Sequence, residues 1–535
     1  MRRPDVITLN CRTVFSKVYS AVVNGLKALP VTVEINATYS SKDAGLEPLF
    51  FMVGLPDNAV KESRKRVQSA LLNSQFVMPP LNVTANFAPA DLRKEGSGLD
   101  LPLAVAILQT VGLVKDPLIE QKMFVGELGL DGTIKPVRGA LSIAIEASAN
   151  GCRQIYLPCE NAHEAAVVEG LEVVGVGSLR QVVELLNGQR QVQPTQVDVA
   201  SLFDDPETTK NLDFIDVKGQ DAAKRAFEVA AAGGHNLILI GSPGCGKSMM
   251  AKRMPSILPP LSLDEAIETT QIYSVAGMLP PGQPLLTQRP FRAPHHKSSD
   301  VSLIGGGQNL RPGEISLAHN GVLFLDEFPE FTRNALETLR QPLEERTVSI
   351  SRSKYAATLP CSFMLIAAMN PCPCGFYNDP THPCTCTPGQ IQKYLSKVSG
   401  PLLDRIDLQV EMAPVPIDVI QRTPQGESSA QIRERVLKAR SIQAARFAHV
   451  RGIYCNAQMT EPMIHEFAEP DTQGMQLLRA AFDRLHLSAR AYNRVLKVAR
   501  TIADLDHSEH VSAAHVAEAI GYRNLDRSDW AEHGL

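Results

Sequence analysis

From residue 213 onward the chain alternates short apolar runs with longer amphipathic ones. "NLILIG", "NGVLFLDE" and "SFMLIAAMN" are too short and too uniformly apolar for amphipathic helices, and they predict strands buried on both faces. "DAAKRAFEVAAAGG" predicts a helix, ended by its glycines. Buried strands separated by helices predict a mainly parallel sheet with helices on both faces. After about residue 412 the pattern is almost wholly helical, as in "SSAQIRERVLKARSIQAARF" and "SARAYNRVLKVARTIADL".

Residues 12 to 187 read differently. "VTVEINATY" and "LNVTANFAP" alternate with a period of two and predict strands, whereas "DNAVKESRKRVQSALLNS" predicts an amphipathic helix. "FVGELGLDGTIKPV" predicts a hairpin turned at Asp131-Gly132 in type I′ geometry. "RGALSIAIEASANG" predicts a helix stopped by Gly151, followed by the strand "RQIYLP". Between the two patterns, residues 188–212 are polar and aperiodic, a linker. The expected organisation is α/β: an N-terminal domain over 1–187, a linker over 188–212, a parallel-sheet core over 213–412 and a helical domain over 413–535.

A chain of 535 residues exceeds what one core supports. A formal charge of −4 gives no global attraction for nucleic acid, so any such contact needs a local basic surface. No apolar stretch reaches membrane-spanning length, and "MRRPDVITLNCRTVF" lacks the apolar segment of a secretory signal. The expectation is a cytoplasmic protein with no membrane partner, in which clustered cysteines signal metal before disulfide.

The chemistry starts at Gly241-Ser242-Pro243-Gly244-Cys245-Gly246-Lys247-Ser248, which fits GxxxxGK[ST] between an apolar strand and a helix. Glycines let backbone N–H groups turn inward around phosphates, and the following helix adds its positive end. Lys247 is placed to reach the β- and γ-phosphates, and Ser248 to hold Mg²⁺. A second strand ends in Asp326, expected in the Mg²⁺ shell, and Glu327, expected to activate water. A third ends in Asn370, an amide able to bind the γ-phosphate and position that water. The expected ligands are therefore ATP and Mg²⁺.

With these motifs, "RPFRAPHHKSSDVSLIGGG", "RPGEISLAHNGVLFLDEFPEF", "AAMNPCPCG", "SGPLLDRIDL" and "SARAYNRVLKVARTIADL", the chain resembles the magnesium-chelatase-like AAA+ ATPases of the ComM/YifB group, over nearly its whole length. The resemblance implies a P-loop core with a C-terminal helical lid, in a homo-hexameric ring with ATP between subunits. It matches Arg405 to the arginine finger offered to a neighbour and Arg490 to the lid arginine, with Arg494 one turn on as the alternative. It further implies a DNA motor threading single-stranded or branched DNA through a central pore, a branch-migration helicase of natural transformation. A protease or unfoldase and a chelatase-type remodelling ATPase remain alternatives. For the DNA contact the candidates are Arg289, Arg292, His295, His296 and Lys297 in one insertion, and Arg352 and Lys354 in a hairpin-like stretch. A solvated basic face is the competing reading of these cations.

Residues 12–187 resemble the proteolytic domain of Lon-type proteases, a ribosomal S5 domain 2-like α+β fold, in "RKEGSGLDLPLAVAIL" and "GELGLDGTIKPVRGALSIAIEAS". The catalytic serine position falls on Gly98, the lysine position on Leu141, and Ser97 has no following lysine to activate it. The domain is expected to be non-proteolytic and to serve subunit contacts or DNA, with Lys61 to Arg66 as a basic segment. Finally, Cys372, Cys374, Cys384 and Cys386 form two CxC pairs directly after Asn370. They could bind one structural Zn²⁺, with His382 as a substitute ligand, or remain reduced thiols without metal.

Overall fold

In the N-terminal part, strands with one apolar face build a mixed sheet. A computed structural model describes residues 14–523 apart from 40–48, 56, 78, 80, 93, 95, 204–211, 307–310, 353–354, 422–425, 451 and 486–487. Contacts divide the chain into two units: residues up to Leu202 together with Ala266–Leu286, and Phe203–Glu265 together with Thr287 onward. Residues 266–286, expected within the ATPase core, therefore group with the N-terminal unit.

The first unit is built on β1 (Val14–Asn24), β2 (Lys27–Tyr39), β3 (Phe50–Val53), β4 (Leu81–Ala88), β5 (Lys122–Phe124), β6 (Gln154–Pro158) and β7 (Glu172–Val176). Their spatial order is β3-β4-β2-β1-β5-β6-β7. β1, β2 and β4 pair antiparallel, and the remaining pairs are parallel. The helix Asp100–Thr110 is buried along almost its whole length. Its Asp100 carboxylate accepts from Arg66 at 2.7 Å and from the Leu128 amide at 3.2 Å. The expected hairpin forms between Glu127–Leu128 and Ile134–Lys135, but its turn is not type I′. Of the turn pair, only Gly132 takes positive φ, at 86°. The Asp131 carboxylate instead accepts from the Thr133 amide and hydroxyl, which holds Asp131 in ordinary backbone space.

The second unit has a fully parallel sheet of β8 (Leu237–Gly241), β9 (Phe291–Arg292), β10 (Val322–Leu325), β11 (Met364–Met369) and β12 (Leu408–Met412). The order is β9-β10-β11-β8-β12. Every residue of β8, β10 and β11 is buried, as their uniform apolarity requires. Each fully buried Leu, Ile or Val here contributes about 1.5–3 kcal/mol. Carboxyl ends of parallel strands lie on one edge, so β8, β10 and β11 deliver Gly241, Asp326 and Asn370 to the same side.

The C-terminal helices Ser429–Arg446 and Ala489–Leu505 share this unit's core through Ile432, Val436, Val495 and Ile502. Asp504, fully buried, accepts from Arg446 at 2.6 and 2.8 Å, from Arg500 at 3.1 Å and from Asn456 at 2.7 Å. Removing this carboxylate leaves buried guanidinium groups without a counter-charge. Asp504→Ala is therefore expected to destabilise the second unit by about 3–5 kcal/mol, read as a lower urea midpoint for loss of far-UV ellipticity.

Candidate active site

The site is held from below by Asn236, which precedes β8. Its amide donates to Asp407 at 2.9 Å, its side-chain oxygen accepts from the Leu365 amide at 2.9 Å, and its side-chain nitrogen donates to the Arg405 carbonyl at 3.2 Å. The starts of β8, β11 and β12 are thereby fixed in register.

At the other end of β8 the chain turns through the P-loop into the helix Lys247–Ala251. Gly246 has φ of 96°, a left-handed conformation that a side chain would strain. Lys247 is buried, and its ammonium donates to the carbonyls of Gly241 at 2.7 Å and Ser242 at 3.0 Å and to the Asn370 side-chain oxygen at 3.2 Å. The Ser248 hydroxyl donates to Asp326 at 2.6 Å. Thus Lys247 pairs with Asn370 and Ser248 with Asp326, which brings the four residues together at neighbouring strand ends. This cationic and acidic donor set fits a polyphosphate and its magnesium ion.

Glu327, also at the β10 end, is exposed and takes φ of 51°, rare for a side-chain-bearing residue. Its carboxylate lies 2.7 Å from Nδ1 of His296. The insertion histidine therefore addresses the proposed base, a pairing that sequence spacing did not reveal.

The two arginines expected at a subunit seam are placed in unequal surroundings. Arg405 is buried at 4% exposure, and its guanidinium binds Glu344 at 2.7 Å and the Pro401 carbonyl. Arg490 is exposed and lies 3.5 Å from the same Glu344 carboxylate. Burial pushes the Glu344 carboxyl up, but Arg405, then Arg490 and Arg494, hold it below its usual value. Neither Asp404 nor Asp407 is the partner of Arg405; Asp407 takes Arg494 instead. Asp407 is buried, which opposes ionisation, yet Arg494, His235 and the Asn236 amide keep its carboxyl far below the ordinary range. Glu344 has no motif around it and was invisible in the sequence.

Two of the insertion's cations are internal ties. Arg289 binds Glu265 at 2.9 Å and the Asn320 carbonyl at 2.7 Å, and Arg292 binds Glu314 at 2.7 Å. Lys297 and His295 are exposed. The expected hairpin forms from Thr347–Arg352 and Tyr355–Pro360. Lys354 lies outside the described residues, and the Arg352 side chain is not described.

The four cysteines of the two CxC pairs converge, with all four sulfurs within 4.8 Å of one another. Cys372 Sγ is 3.3 Å from Cys374 Sγ and 3.7 Å from Cys384 Sγ, and Cys374 Sγ is 3.5 Å from Cys384 Sγ. His382 instead bonds Thr381 through Nδ1 at 2.9 Å, so it is not part of this cluster. In the first unit Gly98 faces Val125 and Val137, Leu141 is fully buried, and the Ser97 hydroxyl pairs with Glu127. These positions bring no lysine to a serine.

This is the geometry of an AAA+ nucleoside triphosphatase site. The magnesium chelatase subunit ChlI family matches residues 213–420, with a second ChlI region over 39–161 and a ChlI C-terminal region over 426–523. The chain is 43% identical over 517 residues to the competence protein ComM of Haemophilus influenzae, covering 95% of this chain and 97% of that one. It is 41% identical over 514 residues to YifB of Escherichia coli, covering 96% and 97%. A weaker likeness, 26% over 178 residues, links 33% of the chain to 22% of a probable DNA helicase, MCM9, of Arabidopsis thaliana. The chain belongs to the ComM/YifB family of magnesium-chelatase-like AAA+ ATPases. Among the described residues no helix is long and apolar enough to cross a membrane.

The Asp407 pair has a pH signature. A carboxyl with a depressed folded pKa adds stability that is fully present above its unfolded value, near 4, and is lost as pH falls through the folded value. Arg494→Ala removes the main charge behind that depression. The stability gap between wild type and Arg494→Ala should be widest at pH 7 and narrow below about pH 4, checked by urea unfolding across pH.

Proposed function

We propose that the protein is a cytoplasmic, homo-hexameric ATP-driven DNA motor, a branch-migration helicase acting on recombination joints in natural transformation. The observation that carries the reading is the meeting of Lys247, Ser248, Asp326 and Asn370 at three adjacent strand ends. Lys247 would grip the β- and γ-phosphates, and Ser248 and Asp326 would hold Mg²⁺, which supplies charge neutralisation when bound. Glu327 takes the proton of the attacking water, and Asn370 orients that water against the γ-phosphate. Arg405 acts across the subunit seam, and Arg490 acts from the C-terminal helices, which serve as the lid. The N-terminal unit is a Lon-protease-like fold without proteolytic chemistry.

The name of the ComM relative supports the competence setting, and the faint likeness to a probable DNA helicase supports the DNA substrate. Arg289 and Arg292 are committed to internal carboxylates, so the DNA contact falls to Lys297 and the hairpin 347–360. We also assign one structural zinc to Cys372, Cys374, Cys384 and Cys386. Four thiolates about 2.3 Å from a tetrahedral ion stand about 3.8 Å apart, close to the sulfur spacings here.

ATPase and strand-exchange assays on a Holliday-type junction, with casein as a control, test the reading. Branch migration that Lys247→Ala abolishes is expected; ATP-dependent loss of casein would overturn it. Glu327→Gln should bind ATP yet hydrolyse it on the order of 10²–10⁴-fold more slowly, checked by nucleotide binding beside phosphate release.

A further inference from the structure

The nine residues between the two CxC pairs, "GFYNDPTHP", form an arm that lies on the phosphate-binding loop. Gly375, at φ of 89°, approaches so closely that an added Cβ would stand 2.7 Å from Cδ of Pro243. Asp379, whose side chain is only 2% exposed, lies near the Ser242 side chain. Ser242 and Pro243 are the second and third residues of the P-loop, and the Ser242 carbonyl also takes the Lys247 ammonium at 3.0 Å.

The arm is knitted to itself. Asp379 also accepts from the Thr381 amide at 2.8 Å, the Thr381 hydroxyl at 2.6 Å and the His382 amide at 3.0 Å. The Phe376 and His382 rings pack with centroids 5.0 Å apart. At its root, the sulfurs of Cys372 and Cys374 on one side and Cys384 on the other are in mutual contact. The Cys374 amide donates to Cys386 Sγ at 3.4 Å, and the Cys386 amide donates to Cys384 Sγ at 3.4 Å.

We propose that zinc at these cysteines controls nucleotide affinity, by closing the arm at its root and so holding Asp379 and Gly375 against Ser242 and Pro243. The inference rests on the zinc assignment above and extends it from a fold-holding ion to a regulator of the ATP site. A cross-link at the base of a loop removes the alternatives the loop would otherwise sample, and a pre-shaped binding loop gives up less freedom when the ligand arrives. Loss of the ion frees the arm, loosens the packing of Gly375 on Pro243, and lets the loop that positions Lys247 depart from its binding shape. Asn370, two residues before Cys372, is drawn along.

The test uses the full-length protein. Metal content is measured first, and one zinc per chain is expected. Binding of a fluorescent ADP is then titrated in excess Mg²⁺ before and after zinc-selective chelation, and again after zinc is restored. Affinity should fall roughly fivefold or more without zinc and recover on its return. Asp379→Ala keeps all four ligands; it should retain one zinc per chain and show the same weakening. Cysteine variants that fail to fold are thus not needed to decide the matter. Zinc present, with nucleotide affinity unchanged by its removal and by Asp379→Ala, would overturn the coupling and leave the zinc assignment standing. A protein that neither carries nor takes up zinc would overturn the assignment itself.

Discussion

Asn236, just before β8, bonds to the beginnings of both neighbouring strands, β11 and β12, and much of the catalytic arrangement depends on that one buried amide. A parallel sheet has slanted, evenly spaced hydrogen bonds and no hairpins to set its register. A side chain bonded to both neighbours at once supplies what the connections cannot. With β8 and β11 started level, Lys247 beyond the end of β8 reaches Asn370 beyond the end of β11, and β10 is set beside them by its own pairing with β11. Asp407 extends the same knot to the C-terminal helices through Arg494, so sheet and helices are positioned by one continuous polar system.

A second polar system opposes the first in character. Glu344 holds Arg405 and Arg490 together, although both are proposed to serve bound nucleotide. One carboxylate can neutralise one guanidinium well, and sharing it keeps both arginines weakly satisfied. Arg405 also keeps a buried Nε with no partner among the described residues. A charged hydrogen bond in partial solvent is worth on the order of 1–3 kcal/mol, so exchange of Glu344 for a phosphate is a modest step. Glu344 lies in the last turn of the helix Arg340–Glu345, which leads directly into the hairpin proposed to contact DNA. The two ends of the proposed work cycle therefore share one short element.

Much of this was legible beforehand, because buried parallel strands and strand-end acids leave strong marks. The P-loop, Asp326, Asn370 and the helices after 412 lie where periodicity and motif spacing predict. What sequence could not supply was pairing across long separations. Glu344 with Arg405, His296 with Glu327, and Gly375 with Pro243 each join residues that no local pattern relates. The turn at Asp131-Gly132 departs from type I′ for a local reason: the carboxylate serves as an acceptor for Thr133. Arg289 and Arg292 looked like a basic patch because their acidic partners, Glu265 and Glu314, stand 22 to 24 positions away.

The N-terminal unit draws residues 266–286 from beyond the linker. Glu164, a buried carboxyl raised in pKa chiefly by burial, receives the Ser274 hydroxyl from that segment at 2.6 Å, and the Gly139 amide donates to the Ser274 carbonyl at 3.1 Å. The gene therefore cannot be cut at the linker into two self-sufficient halves. An expressed fragment ending near residue 212 would lack the strip that satisfies Glu164, and a protease nick at the linker would leave residues 266–286 packed in the N-terminal unit.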